Sequence, residues 1–156
     1  MISIIIPVLD QYEMTVQCIQ TLWEHTSDFE LVIVDNGSNP PFKPPFSGFN
    51  EISVIRNEEN RGFPAAVNQG VKAARGDIII LLNNDVFVTP GWAEKLLSAL
   101  NGFDIVGPVT NYCAGMQKVQ IDEYQNLNEL YESAETLAHY FGDSVTPVNF
   151  VIGAIL

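Results

Sequence analysis

Basic residues are scarce in this chain: seven Lys and Arg stand against 19 Asp and Glu among 156 residues, a net charge of −12. Nucleic acid and anionic membrane surfaces are themselves negative, so the chain as a whole is a poor partner for either. A phosphorylated ligand is compatible with this charge only where helix N-termini, an arginine or a divalent cation offset it locally. The acidity is equally compatible with a well-solvated surface and nothing more.

Cysteines are also few, and Cys18 and Cys113 lie far apart without a CxxC motif. This spacing predicts two reduced thiols in a cytoplasmic protein rather than a disulfide framework. No apolar run approaches the ~20 residues of a membrane span. The opening MISIIIPVLD lacks the basic leader of a signal peptide.

Apolar residues make up 47% of the chain, enough for one domain with a sizeable core. Short β-branched runs recur and are mostly continuous rather than alternating, a pattern typical of strands buried on both faces of a parallel sheet. The predicted strands are residues 2–8, 30–34, 52–55, 78–82, 105–109 and 150–156.

Helical patterns separate these runs. They cover the segment around Met14, Cys18 and Leu22, and residues 65–74, 92–100 and 122–141. Strand–helix alternation predicts an α/β architecture with a mostly parallel sheet flanked by helices. We interpret residues 1–156 as a single domain, and because the final run VNFVIGAIL has no polar tail, we expect a longer protein to continue it.

Polar side chains follow three of the predicted strands, at Asp10, at Asp35 and at Asn83-Asn84-Asp85. In open α/β sheets, ligands bind outside the carboxyl ends of the strands. We therefore expect Asp35 and Asp85 to face one shared cleft, one carboxylate accepting a hydrogen bond from a base N–H and the other holding a divalent cation.

Each of these acids has a structural alternative. The segment DNGS at Asp35 is good turn chemistry. Asp85 could cap the segment that follows it, and for Asp10 capping of the first helix is the favoured interpretation. Arg61 and Gly62 precede a helix that carries Asn68, and this stretch could be a surface loop and an ordinary packed helix, with Gly62 supplying a positive φ angle.

Four segments together resemble the inverting glycosyltransferases of family 2, which have the GT-A fold. They occur in the family's order and spacing: SIIIPVLDQYEMTVQCIQTL, ELVIVDNGS, NRGFPAAVNQGVKAARGDIIILLNNDVFVTPGW and VNFVIGAIL. The Asn-x-Asp of residues 83–85 is most similar to the rhamnosyltransferase-type branch, where this triplet often stands for Asp-x-Asp.

The resemblance implies roles for individual residues. Asp35 would bind the nucleotide base, and Pro7, Val8, Leu9 and Asp10 would line the base and ribose pocket, although Leu9 stands where family members often carry a stacking aromatic. Asp85 would coordinate Mg²⁺ or Mn²⁺ on the donor diphosphate. Further nucleotide contacts would come from Asn83, Asn84, Arg61 and Asn68.

The expected reaction is metal-assisted transfer of a sugar from a UDP-, dTDP- or GDP-sugar to a glycan or lipid-linked hydroxyl acceptor, with inversion. The family's catalytic acid follows the VIGAIL strand, so the general base is expected beyond Leu156. A full-length protein acting on a lipid-linked acceptor would be a peripheral membrane protein.

Two other functions fit parts of the pattern. A nucleotidyltransferase that builds sugar nucleotides usually has a glycine-rich basic loop after its first strand, and PVLDQYEM has neither feature. A non-catalytic nucleotide-binding or scaffolding module of the same fold is the stronger alternative.

Overall fold

The computed structural model describes residues 1–45, 52–113, 115–149 and 151. Within these ranges, four strands and four α-helices follow one another along the chain. In order they are β1 (Ile2–Val8), α1 (Tyr12–His25), β2 (Phe29–Asp35), β3 (Ile52–Arg56), α2 (Phe63–Ala73), β4 (Ile78–Leu81), α3 (Trp92–Ala99) and α4 (Leu127–Phe141).

The strands form one sheet in the order β3-β2-β1-β4, and every described pairing is parallel. The two central strands, β1 and β2, are almost entirely buried, as their continuous apolar runs predict. The outer strands are shorter and more exposed. The α/β prediction and the first four strand predictions are confirmed.

Helices cover both faces of the sheet. On one face Ile4, Ile6 and Val8 share a core cluster with apolar residues of α1 and α3, whereas Ile5 belongs to a separate cluster with Ala66 of α2. Successive side chains of a strand point to opposite faces, so a continuous apolar strand supplies both clusters. None of the helices in the described ranges is long and apolar enough to cross a bilayer.

Helix α2 lies very close to the sheet at Gly70. A Cβ atom added at Gly70 would stand 2.3 Å from Cγ2 of Ile5 and 3.3 Å from Cγ2 of Val34. Only glycine permits this approach, which brings the second half of α2 close against β1 and β2.

An ion pair between the buried Glu30 and the exposed Arg75 lies at the amino end of the sheet. Glu30 is buried at the start of β2, where it accepts hydrogen bonds from the Ser3 hydroxyl and from Nε of Arg75 at 2.7 Å. Burial alone would raise the pKa of Glu30, but the hydrogen bonds from Ser3 and Arg75 and the charge of Arg75 outweigh it and lower the pKa to about 2.

Two sequence predictions differ from the structure, and a third is not tested by it. Residues 105–109 form no strand, and Pro108 interrupts the run. The last helix begins at Leu127 rather than at Asp122, because Asn126 caps it by accepting from the Glu129 main-chain N–H. The predicted final strand, residues 150–156, lies outside the described residues apart from Val151, which is in no strand.

Candidate functional site

The carboxyl ends of three neighbouring strands meet at one edge of the sheet. Val8 at the end of β1 pairs with Asp35 at the end of β2, and on the other side Ile5 pairs with Leu81 of β4. The pairing continues past β4, since Leu82 N–H donates to Ile5 O at 2.9 Å. The segments that follow β2 and β4 therefore flank the end of β1, as the sequence predicts.

Asp85 is exposed at this edge, in the turn that follows β4. The two asparagines before it are hydrogen-bonded to α1, Asn83 through its main-chain carbonyl and Asn84 through its side chain. The Asn83 carbonyl accepts from the Cys18 thiol at 3.6 Å, and Asn84 Nδ2 donates to the Thr15 hydroxyl at 2.9 Å. The alternative of a helix cap is wrong for Asp85, because α3 begins only at Trp92, with Gly91 as its N-cap.

Cys18 is buried beneath this turn, and both cysteines are free thiols, as predicted. Burial raises the pKa of Cys18 to about 12, a main-chain hydrogen bond involving Val86 opposes the rise, and the negative charge of Asp85 adds to it. The thiol is therefore neutral at physiological pH. Its part in the site is to orient the turn that carries Asp85.

Asp35 differs from the prediction in one decisive respect, because its side chain is 0% exposed. Oδ1 lies 2.8 Å from Arg56 Nη1 and accepts from the Ser38 main-chain N–H, while Oδ2 accepts from the Phe42 N–H at 2.8 Å. The expectation that both acids face an open cleft is therefore wrong for Asp35. In this conformation the carboxylate anchors the segment that follows β2.

The environment of Asp35 keeps it ionised. Burial would raise the pKa of this carboxyl, but hydrogen bonds from Ser38 and Phe42 and the positive charge of Arg56 lower it below its ordinary value. A buried carboxylate with this set of partners is well satisfied, so it fixes the surrounding loop firmly. The burial of Asp35 is therefore explained by the turn interpretation of DNGS and by the close packing of the loop.

Phe42, whose main-chain N–H bonds Asp35, is itself buried. Its ring is only 6% exposed and packs with the core cluster beneath α1, with its centroid 5.5 Å from that of Tyr12. Arg56 supports the same segment by donating from Nη2 to the Ser38 carbonyl at 2.9 Å. The sequence placed Ser38 in the DNGS turn but did not indicate Phe42 or Arg56 as partners of Asp35, since a proline-rich loop gives no sign of which aromatic it will bury.

The turn after β1 carries Leu9, which is exposed, and Asp10, which has a positive φ of 57°. Asp10 does not cap α1, so that prediction is wrong: the N-cap is Gln11, without a side-chain cap. Instead Asp10 Oδ1 accepts from the Asn39 N–H at 2.9 Å, and its own N–H donates to Ser38 Oγ at 2.9 Å. Pro7 and Val8 precede this turn at the end of β1.

Arg61 and Asn68 are exposed, the first in the loop before α2 and the second on the helix itself. Gly62 has the predicted positive φ, 83°. The Arg61 main-chain N–H donates to Asn36 Oδ1 at 3.1 Å, which fixes this loop to the end of β2. The helix that follows is indeed packed on the sheet, and it begins at the same edge.

The residues at this edge suit a cation only in part. Among the described residues, no group of three or more Asp, Glu, His or Cys could hold a metal by itself. Asp85 offers one exposed carboxylate, with two amide side chains before it. Mg²⁺ commonly binds one or two carboxylates and completes its shell with phosphate oxygens and water. The edge therefore fits a cation that arrives with a diphosphate.

Comparison with known proteins identifies the family. Residues 3–146 match the model of Glycosyl transferase family 2. The glycosyltransferase AglE of Haloferax volcanii is 30% identical over 115 residues, 68% of this chain and 38% of its own length. The uncharacterized glycosyltransferase YwdF of Bacillus subtilis is 33% identical over 108 residues, 67% of this chain and 40% of its own length. The chain thus spans well under half the length of these relatives.

Solved structures show the same fold. TarS of S. aureus (residues 1–349) superimposes with a TM-score of 0.52 at 17% identity, over 65% of this chain and 32% of that one. A mannosyltransferase of Pyrobaculum calidifontis, solved with GDP-Man and Mn²⁺, gives a TM-score of 0.51 at 17% identity, over 67% and 32%. With its parallel sheet, its helices on both faces and a family match over most of its length, the chain belongs to glycosyl transferase family 2, a family of inverting enzymes with the GT-A fold.

Proposed function

We propose that this chain is the nucleotide-sugar-binding, N-terminal part of a glycosyltransferase that moves a sugar from a nucleoside-diphosphate donor to a hydroxyl acceptor, with inversion. The observation that carries the proposal is the exposed carboxylate of Asp85 in the turn that follows β4, the strand that pairs with β1 in parallel. Ligands of open α/β sheets bind at this position. Family membership supplies the reaction class.

Asp85 would hold Mg²⁺ or Mn²⁺ together with the donor diphosphate, and Asn83 and Asn84 would add polar contacts. A bound divalent cation neutralises the negative charge that develops on the diphosphate as the sugar bond breaks. The chain's own contribution is to place Asp85, through the contacts of Asn84 with Thr15 and of the Asn83 carbonyl with Cys18. The mannosyltransferase crystallised with GDP-Man and Mn²⁺ supports this combination of ligands.

Base recognition would use the turn from Pro7 to Asp10, with Asp35 behind it. Uracil, thymine and guanine all present a ring N–H, so UDP-, dTDP- and GDP-sugars all stay candidates. Since both oxygens of Asp35 are bonded and buried, a base can reach that carboxylate only if the Phe42 N–H gives up its place. Nucleotide binding by Asp35 therefore requires the segment that carries Phe42 to move.

Transfer itself needs a general base. The acceptor hydroxyl attacks the anomeric carbon, the bond from that carbon to the diphosphate oxygen breaks, and the hydroxyl proton passes to the base. We place the base beyond Leu156, in a longer protein of which residues 1–156 would be one part. The described segment would then bind the donor without completing the reaction.

The acceptor is proposed to be a glycan or a lipid-linked sugar. Two relatives support the lipid-linked case by their names: a glucosyl-dolichyl phosphate glucuronosyltransferase of Haloferax volcanii and an undecaprenyl-phosphate 4-deoxy-4-formamido-L-arabinose transferase of Pseudomonas fluorescens. A cytoplasmic enzyme acting on such acceptors would associate with the membrane surface. Assignment to the rhamnosyltransferase-type branch stays a prediction.

Of the non-catalytic nucleotide-binding or scaffolding alternatives with the same fold, the burial of Asp35 favours the scaffolding module. Calorimetric titration of UDP, dTDP and GDP, each with and without Mn²⁺, separates the two. Binding of at least one nucleoside diphosphate, strengthened by the metal, supports the glycosyltransferase proposal. Failure of all three to bind in the presence of Mn²⁺ supports the non-catalytic module.

A further inference from the structure

A network of amide side chains lies behind the loop that carries Arg61. Asn36 and Asn57 are each only 4% exposed. Asn57 and Gln69 exchange two hydrogen bonds: Asn57 Nδ2 donates to Gln69 Oε1 at 2.7 Å, and Gln69 Nε2 donates to Asn57 Oδ1 at 2.9 Å. Asn57 Nδ2 also donates to Asn36 Oδ1 at 3.0 Å. The network therefore connects the ends of β2 and β3 with α2.

Asn36 is the centre of this network, and both ends of its amide are engaged. Its Oδ1 accepts from Asn57 Nδ2 and from the Arg61 main-chain N–H at 3.1 Å. Its Nδ2 donates to Asn60 Oδ1 at 2.9 Å and to the Gly62 carbonyl at 3.3 Å. An asparagine amide has two donor hydrogens and one oxygen with two lone pairs, so Asn36 makes all the hydrogen bonds it can.

Three of those bonds end on residues 60–62. The loop is fixed a second time, because Asn60 Oδ1 also accepts from the Gly62 N–H at 2.8 Å. The backbone approaches closely here as well: a Cβ atom at Gly37, where φ is +100°, would stand 2.6 Å from Asn60 N. A fully satisfied buried polar network specifies one arrangement of the groups it joins. Residues 60–62 therefore have a defined position relative to the end of β2.

We propose that Asn36, supported by Asn57 and Gln69, is a positioning residue that holds the main chain of Arg61 so that its exposed guanidinium can meet the donor diphosphate. This inference rests on the proposed function. A diphosphate approaching a chain of net charge −12 needs a well-placed cation, and arginine binds phosphate oxygens best when its geometry is fixed beforehand. An apolar core would pack α2 equally well but would not set the main chain at Arg61.

A double-mutant cycle tests this role. It measures the affinity of Asn36→Ala, Arg61→Ala and the double variant for the nucleoside diphosphate that the wild type binds best, with Mn²⁺ present. We expect each single variant to weaken binding by about tenfold and the double variant to be no weaker than Arg61→Ala, because coupled residues are not additive. Losses that multiply in the double variant would overturn the inference, as would an Arg61→Ala variant that binds like the wild type.

A second readout separates positioning from folding. The same variants are titrated with the corresponding nucleoside monophosphate, whose affinity should change much less than that of the diphosphate. Equal losses for both ligands would indicate a general structural defect and contradict the inference. Asn101→Ala, which alters an exposed asparagine after α3, is the matched control and should bind like the wild type.

Asn36→Ala removes a buried group, so its fold is checked by thermal unfolding. If it does not fold, Gln69→Met takes its place, since Gln69 is only partly buried. Gln69→Met should lose less affinity than Asn36→Ala, and its loss should not add to that of Arg61→Ala in the double variant. Additive losses would overturn the inference here too. A wild type that binds no nucleoside diphosphate would refute the proposed function and this inference with it, whereas binding with additive losses would refute this inference alone.

Discussion

Arg56 Nη1 lies 2.8 Å from Oδ1 of Asp35, and this ion pair occupies the acid that the family resemblance assigns to the nucleotide base. The Phe42 N–H takes the other oxygen. Both oxygens of Asp35 are thus satisfied by the protein's own groups. Under the proposed function, a base that binds at Asp35 would compete with these internal contacts, and nucleotide affinity would then depend on the stability of the loop.

Phe42→Ala should weaken the internal contacts that would compete with a nucleotide for Asp35. Loss of the buried ring lowers the free energy of unfolding by about 3 kcal/mol or more. It should nevertheless raise nucleotide affinity by roughly threefold to tenfold, because a larger fraction of molecules would have Asp35 accessible. Calorimetry with the best-binding nucleotide and Mn²⁺ measures the change. Phe103→Ala, at an exposed aromatic, serves as the control, and unchanged or weaker binding by Phe42→Ala would show that the base does not displace this segment.

The close approach of α2 to the sheet predicts a sensitive glycine. Gly70→Ala places a methyl group 2.3 Å from Cγ2 of Ile5, so the helix must shift outward. Overpacking of this kind costs about 1–3 kcal/mol, against which the better helix propensity of alanine returns up to about 1 kcal/mol. Chemical denaturation should show net destabilisation, while the exposed neighbour Val71→Ala stays within about 0.5 kcal/mol. A Gly70→Ala variant as stable as the wild type would contradict the described packing.

Glu30 should govern part of the stability in acid. Its pKa is lowered from 4.5 to about 2 in the folded protein, so its contribution is complete above the unfolded value and is lost as pH falls through the folded value. The contribution is about 3 kcal/mol, and the free energy of unfolding should fall between about pH 5 and pH 2. Glu30→Gln should flatten this dependence, and the exposed Glu58→Gln should not. If the free energy of unfolding falls equally steeply with pH in wild type and Glu30→Gln, the ion pair between Glu30 and Arg75 is not the source of the pH dependence.

The parts of the fold that follow from local pattern were predictable. Continuous β-branched runs identify the strands that build the buried sheet, and the rule that parallel strands share one carboxyl edge puts the turn that carries Asp85 at the same edge as the end of β1. The start of α4 was predictable less well, because Asn126 and Glu129 form a local cap that outweighs the apolar pattern. Residues 105–109 have a strand-like composition but pair with no described strand.

The state of Asp35 could not be predicted from its neighbours in sequence. Its partners are Arg56, which arrives from the next strand, and the main-chain N–H of Phe42, which a proline-rich loop brings to it. The amide network could not be predicted for the same reason, since Asn36, Asn57 and Gln69 come from three separate parts of the chain. Such side-chain pairings are set by tertiary packing, whereas strand order and the position of the edge are set by hydrophobic pattern.

The central claim is that Asp85 holds a divalent cation together with a nucleoside diphosphate, and calorimetry of GDP, UDP and dTDP with and without Mn²⁺, in wild type and Asp85→Asn, tests it most directly. Because Asp85 supplies only one carboxylate, Mn²⁺ alone should bind weakly to the wild type, but it should tighten nucleotide binding by about tenfold or more. In Asp85→Asn this enhancement should disappear while metal-free binding stays as in the wild type. An equal Mn²⁺ effect in both proteins, or none in the wild type, would contradict the account.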